Sequence, residues 1–377
     1  MKYFTAAFLL ALIALCAVLY ILPGKIRQAV LDSEPAFGYE AAATTYPIWL
    51  FTREITDGTG REVILLTPPD AGCPHDYALT TNDLLKISGI RTPILLFKNG
   101  VGLDEHICKA AMAAHKGIIV VDTGAGIEVI GDDDDDDHDH EGEHHHDDGD
   151  EDHDHEADHD HEAEHDHEAE HDHEADHDHE AEHDHEADHE ADHEVEDHHH
   201  HHHHGGENGH FFASPYEARK IVATIAEALA EKDPDNAAKY RENAARLDKR
   251  LQILGDEFKA QLAPYAEKHV AAQHNIFDYL LHDCGFETPM AIFADPETPP
   301  SPAEITAMTK EFKEHGVKVI FTEPQYPDEL AMLIGKETGA TVVKIDPVAS
   351  GPADPPVGYY IDVMGRNLEI MKKALAE

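Results

Sequence analysis

From Gly131 to Gly209 the chain has almost nothing to bury. The tract is built of His, Asp, Glu and Ala, repeating HDHEAE or HDHEAD every six residues from His153 to about Ala187, with Val195 its one branched apolar side chain. Such a segment cannot offset the entropy of ordering its backbone, so it is expected to be disordered without metal. Any core must come from the flanking blocks, residues 36–130 and 210–377, each long enough to bury a modest one.

The same tract has a definite chemistry. It holds 26 of the chain's 34 His and 38 of its 78 Asp and Glu, with no Lys or Arg. A solvated spacer needs acid alone, whereas imidazole at regular intervals beside carboxylates reads as metal binding, above all of zinc. His153, His155, His159, His161, His165 and His167 are candidate weak accessory ligands, and in a metal-induced helix His155 and His159 would be i, i+4 neighbours. The formal charge is −50, but with the tract's acids set aside 28 cationic side chains face 40 acidic ones, leaving −12. A field of that sign attracts cations and argues against nucleic acid or anionic lipid as partners.

At the N-terminus Lys2 precedes an apolar run from Phe4 to Leu22 that ends at Pro23-Gly24. Residues 1–23 are therefore expected to be an export signal or a membrane anchor, which places the body in the periplasm or otherwise outside the cytoplasm. Leu15 argues against lipid modification of Cys16. Cys73, Cys108 and Cys284 then lie in an oxidising compartment, and no bridge among them is predicted.

The flanking blocks alternate short apolar runs with helical patterns. Glu62–Leu66, Pro93–Phe97 and Gly117–Val121 in the first block, and Lys268–Ala272, Val317–Phe321 and Thr341–Ile345 in the second, have the character of strands buried on both faces of a parallel sheet. Thr81–Ile87 and Asp104–His115 read as helices, and Ser301-Pro-Ala-Glu304 opens another with a capping box, closed by Gly316. Between the blocks, Tyr240, Ala244, Leu247, Leu251, Leu254, Phe258 and Leu262 form one apolar stripe on a long helix, with Asp233-Pro234 expected as N-cap and first turn and Pro264 as its stop. The expected fold is α/β: an N-terminal lobe over 36–232 that includes the 131–209 loop, a rigid connecting helix over 233–263, and a C-terminal lobe over 264–377.

Eight His lie outside the tract. Three occupy positions where parallel α/β folds place ligands, beyond strand carboxyl ends or ahead of a helix. His75 follows the first strand, His274 follows the strand ending at Gln273, and His210 precedes a helix whose Ser214-Pro-Tyr-Glu217 reads as a second capping box. Glu323 and Asp346 each close a strand, Glu323 as a carboxylate that could orient a ligand His or itself be an alternative ligand, and Asp346 as a turn cap or a fourth ligand. His106, His115, His269, His282 and His315 read as surface or packing residues. Cys73, two residues before His75, reads as a small loop residue more than as a soft ligand.

These residues sit among ordered motifs that resemble the zinc-type substrate-binding proteins of ABC transporters, the ZnuA kind. The resemblance runs through Tyr46-Pro-Ile, Pro74-His75-Asp-Tyr77, Asn99-Gly-Val-Gly-Leu103, His210 ahead of Ser214-Pro, Tyr240-Arg-Glu-Asn243, His274 before Phe277-Asp-Tyr279, Ile320-Phe-Thr-Glu-Pro-Gln325, Asp346-Pro347 and Tyr360 to Asn367. It implies that His75, His210 and His274 hold one Zn²⁺ between two lobes, with a carboxylate or water fourth. Asp346 stands where manganese-binding relatives use an Asp ligand, whereas three imidazoles favour zinc. The implied function is capture of Zn²⁺ as cargo and its delivery, by a monomer, to an ABC permease and its ATPase, with no catalysis. Alternatives are an extracytoplasmic zinc buffer acting through the tract, Mn²⁺ as cargo, and a metalloenzyme with Glu323 as base, for which no HExxH motif is present.

Overall fold

The computed structural model describes residues 38–130, 208–293 and 300–377. The N-terminal segment and the accessory histidines of the tract lie outside them. Among the described residues no helix is long and apolar enough to cross a membrane.

Two parallel sheets carry the molecule. The first joins β1 (Glu40–Ala43), β2 (Val63–Leu65), β3 (Ile94–Lys98) and β4 (Ile118–Asp122) in the order β2-β1-β3-β4. The second joins β5 (Val270–Ala272), β6 (Met290–Ala291), β7 (Val319–Thr322) and β8 (Thr341–Lys344) in the order β6-β5-β7-β8, the same plan repeated. In each sheet the chain steps to one side of its first strand and then to the other. The crevice at the strand carboxyl ends, where the order reverses, is the place such folds offer a ligand.

Two central elements of the first lobe escape sequence patterning. β1 is a run of three fully buried alanines, Ala41, Ala42 and Ala43, a residue type with little strand preference but the small volume a middle strand needs beneath packed helices. Directly after it, α1 (Tyr46–Thr56) starts with Pro47 in its first turn and buries Tyr46, Ile48, Phe51 and Ile55.

The helices predicted from pattern are present with small shifts: α2 (Thr81–Ser88), α3 (Glu105–Ala114) and, in the second lobe, α7 (Pro302–Glu314), whose Ser301–Glu304 capping box is complete. Ser214 likewise caps α4 (Pro215–Lys232), accepting from the Tyr216 and Glu217 amides. Its hydroxyl proton goes to Asp283, and Glu217 pairs with Lys220, so the expected reciprocal box is not formed there.

The long helix α5 spans Ala237–Leu262, 26 residues or about 39 Å. Its predicted stripe is its buried face, joined by Asn243 and by Gly255, where the Tyr216 ring of α4 packs so closely that a Cβ would meet ring atoms at 3.1 Å. The start differs from expectation. Asp233 ends α4, and α5 begins at Ala237 behind Asn236. The reason is charge: Asp233 Oδ2 accepts from Arg61 at 2.9 Å and from the Tyr240 hydroxyl at 2.7 Å, and the Arg61 side chain is nearly inaccessible to water. A buried guanidinium needs that carboxylate more than a helix terminus does.

One contiguous apolar cluster runs from α1 through α4 and α5 to α6 (Asp278–Asp283) and α9 (Tyr359–Ala376), taking in the facing sides of both sheets. Smaller clusters fill the outer faces, under α2 and α3 in one lobe and under α7 and α8 (Glu329–Thr338) in the other. Polar ties add to this: the Tyr46 hydroxyl donates to Pro352 O at 2.9 Å, and the Gly351 amide donates to Pro69 O at 2.8 Å. Cys108 and Cys284 are buried thiols outside any disulfide.

Candidate metal centre

Three segments bring their donors to one point. After β2 the chain turns at Cys73 into a single 3-10 turn, Pro74–Asp76, that carries His75. A second 3-10 turn, His210–Ala213, leads into α4, and His274 stands two residues beyond β5. The ring centroids of His75 and His210 are 5.4 Å apart, those of His75 and His274 5.6 Å, and those of His210 and His274 5.0 Å.

The His210 turn is fixed by close approach to the first sheet's crevice. Asn99, just past β3, donates to Gly209 O at 2.9 Å, and a Cβ on Gly209 would meet Leu103 Cβ at 2.7 Å and Val101 O at 3.0 Å. The Asn99–Leu103 motif is thus a backbone turn against which Gly209 must lie bare. That turn wraps the fully buried Asp104, whose carboxylate accepts from the Thr44 hydroxyl and the Asn99 and Gly100 amides. From the far end of the chain, the Tyr360 hydroxyl of α9 holds Phe212 O at 2.8 Å.

Hydrogen bonds decide which nitrogen each buried ring presents. His274 Nδ1 lies 2.5 Å from Glu323 Oε1, so Nδ1 carries the proton and Nε2 keeps the lone pair. Glu323 itself is held by Gln325 at 2.7 Å and, through its amide, by Gln273. For His210, Nδ1 is 2.9 Å from Asn208 Oδ1, while the Asn208 amide group donates to Asn275 O and Asp278 Oδ2. With both amide hydrogens committed, Oδ1 is the face turned to His210, and the lone pair again falls on Nε2. Burial, followed by the neighbouring His274 and His75, holds the His210 pKa well below the usual imidazole value, so the ring is neutral at physiological pH.

His274 Nε2 is buried and has no hydrogen-bond partner. Leaving such an atom bare costs about 1–3 kcal/mol, a cost recovered if a cation takes the lone pair. Cys73 Sγ is 3.2 Å from His210 Nε2. Together Cys73, His75, His210 and His274 offer donor atoms all within 4.8 Å of one another, and His75 alone of the four is partly exposed. A tetrahedral zinc ion with bonds of about 2.0–2.3 Å needs donors roughly 3.4–3.7 Å apart, so small side-chain adjustments close this group around an ion.

The structure therefore brings together three of the five site residues read from sequence, with Glu323 directly behind one of them. Asp346 stands outside the donor group. Its Oδ1 accepts from the Val348 amide at 2.8 Å, and Asn367 grips its backbone on both sides, so it braces its own turn. Cys73 corrects the reading of a mere small loop residue: it is fully buried with its sulfur among the imidazoles. Its proximity in sequence to His75 was the available signal. Asn208 gave none, since only the fold turns its amide toward His210.

Ile130 and Asn208, far apart in sequence, meet beside this centre. The Tyr279 hydroxyl accepts from the Ile130 amide at 3.2 Å and donates to Asn208 O at 2.7 Å.

Comparison with known proteins agrees along most of the chain. The family model described as zinc-uptake complex component A, periplasmic, matches residues 42–374. The high-affinity zinc uptake system protein ZnuA of Brucella abortus is 30% identical over 150 residues, 40% of this chain and 45% of that protein. The zinc-binding protein AdcA of Streptococcus pyogenes is 24% identical over 336 residues, 88% of this chain and 55% of AdcA. The chain thus spans about half the length of these curated relatives. Among solved structures, FpvC of Pseudomonas aeruginosa in complex with Mn²⁺ superimposes with a TM-score of 0.63 at 24% identity, covering 90% of this chain and 98% of FpvC. A crystal structure of ZnuA gives 0.61 at 18% identity, covering 89% and 99%. These likenesses carry the fold.

Proposed function

The chain belongs to the zinc-uptake complex component A family, and on that premise we propose that it is the extracytoplasmic substrate-binding component of a zinc ABC uptake system. It captures Zn²⁺ between its lobes and hands it to a membrane permease driven by an ATPase, without catalysing a reaction. The observation that carries this reading is the convergence of His75, His210 and His274, with the lone pair of each buried ring directed inward and His274 Nε2 otherwise unsatisfied.

Each part of the centre has a role in reversible capture. His210 is held neutral, and both it and His274 are oriented by their hydrogen bonds before the ion arrives, so little reorganisation is needed on binding. His75, on its short turn and partly exposed, is the ligand that meets the ion first and releases it last. Three imidazoles suit zinc better than manganese, which favours oxygen-rich octahedral sets. Mn²⁺, the ion in the FpvC complex, is the competing cargo to be tested. The His and acid tract, in this reading, supplies weak additional sites that raise the zinc concentration near the tight one.

Calorimetry on the purified full chain tests the assignment. We expect one tight zinc site above a background of weak ones, and His274→Ala removes the tight phase while sparing the weak. A tight phase that persists in His274→Ala would sink the assignment. In cells, deletion of the gene should impair growth only in zinc-poor medium, whereas a buffer would show its effect under zinc excess.

A further inference from the structure

We propose that Cys73 is the fourth ligand, completing a Cys-His₃ tetrahedron whose thiolate sets the preference of the site for zinc over manganese. The proposal deepens, and rests on, the reading of His75, His210 and His274 as metal ligands.

The geometry is specific to Cys73. It is extended at φ −70° and ψ 138°, immediately before a turn whose first residue is Pro74, so Cys73 and His75 are set by one short rigid segment. Its side chain is fully buried, and its sulfur lies 3.2 Å from His210 Nε2, the nitrogen that the Asn208 contact leaves with a lone pair. The donors of Cys73 and the three imidazoles form the metal-competent group found among the described residues. Neither carboxylate read as a candidate from sequence belongs to that donor group. Glu323 holds His274 Nδ1 with one oxygen and the Gln325 amide with the other, and Asp346 caps the Val348 amide.

The chemistry balances without any redox step. In the metal-free protein the thiol donates its proton toward His210 Nε2, because that imidazole already spends its own N–H on Asn208. On capture a Zn–S and a Zn–N bond replace the S–H···N contact, and the thiol proton leaves to solvent. Three neutral imidazoles bring no charge to a dication in a site where three of the four donor residues are buried. A thiolate halves that charge at the point of highest desolvation cost. Sulfur also discriminates, since soft thiolate suits zinc and its heavier congeners and suits manganese poorly.

The test uses the full chain loaded with one equivalent of Co²⁺ or Zn²⁺. Residues 131–209 contain no cysteine, so a thiolate-to-cobalt charge-transfer band in the near ultraviolet is blind to the tract. We expect that band in the wild type, its loss in Cys73→Ser, and X-ray absorption of the zinc form showing one sulfur at about 2.3 Å with nitrogen at about 2.0–2.1 Å. Zinc affinity in Cys73→Ser should fall at least tenfold while manganese affinity changes little, narrowing the ratio between them. A wild-type zinc form with tight binding but only nitrogen and oxygen neighbours overturns the proposal and leaves the three-histidine site standing. Absence of a tight site in the wild type overturns the underlying reading instead. Because the band and the sulfur scatterer are read on the wild type, neither outcome depends on the variant folding.

Discussion

Glu323 and Asn208 touch no ion in the proposed function, yet each determines what an imidazole can offer. A carboxylate on Nδ1 fixes the tautomer and the ring plane of His274, and an amide oxygen does the same for His210. Glu323→Gln keeps the shape but replaces a charged acceptor with an amide that has donors of its own. Zinc affinity of the tight site should fall about 10–100-fold with little change in fold, read by competition against a chromophoric chelator and by circular dichroism. An unchanged affinity would show that the backbone alone positions His274. At this scale the sequence is half transparent. His75, His210 and His274 were visible because strand ends and a helix start are recognisable from pattern. Asn208 was invisible because its function arises from pinning by Asn275 and Asp278, some 70 residues away.

Among the elements, α2 matters more to the centre than its surface position suggests. Its N-cap Thr80 and Asp83 form a reciprocal capping box, and the Tyr77 hydroxyl, at the end of the turn bearing Cys73 and His75, also donates to Asp83 at 2.7 Å. Burial opposes the Asp83 charge, but the hydrogen bonds from Thr80 and Tyr77 outweigh it and hold the carboxyl at about 2, below its usual 3.8. A depressed pKa stabilises the fold above the unfolded value and loses that contribution as pH falls through the folded one. Asp83→Asn should therefore cost about 1–2 kcal/mol at neutral pH, with the gap to wild type closing between pH 4 and 2, in urea titrations across that range. Thr80→Ala should cost about 1 kcal/mol at neutral pH by the same assay. Elements followed pattern where their own side chains set it, as in the α5 stripe and the Ser301 box. They departed from it where a distant partner intervened: Arg61 drew Asp233 from the start of α5, and Asp283 took the Ser214 hydroxyl. β1 was illegible for another reason, because a central strand under two helix layers is selected for small volume.

Across the whole molecule, a single apolar cluster and the ties from Tyr46 and Gly351 join the lobes without a break. Large hinge closure would have to tear that cluster, so the proposed ion capture is expected to need only local adjustment at the partly exposed His75. Removal of residues 132–204 should therefore leave the tight zinc phase unchanged in calorimetry and abolish the weak phases. At a zinc concentration a hundred times its Kd, the shortened protein should gain about 2.7 kcal/mol of stability against heat or urea. Loss of the tight phase on deletion would mean that the tract supplies a ligand to it.

The Tyr279 hydroxyl, holding both Ile130 and Asn208, gives the chain a natural splice point. Whatever lies between those two residues begins and ends at one oxygen atom, so the number of hexads can grow or shrink without asking the lobes to move. The entropic cost of a longer closed loop rises only by about 0.6 kcal/mol per doubling. Variants with fewer or more six-residue repeats are therefore expected to keep one tight zinc phase in calorimetry and to differ from one another only in the weak ones.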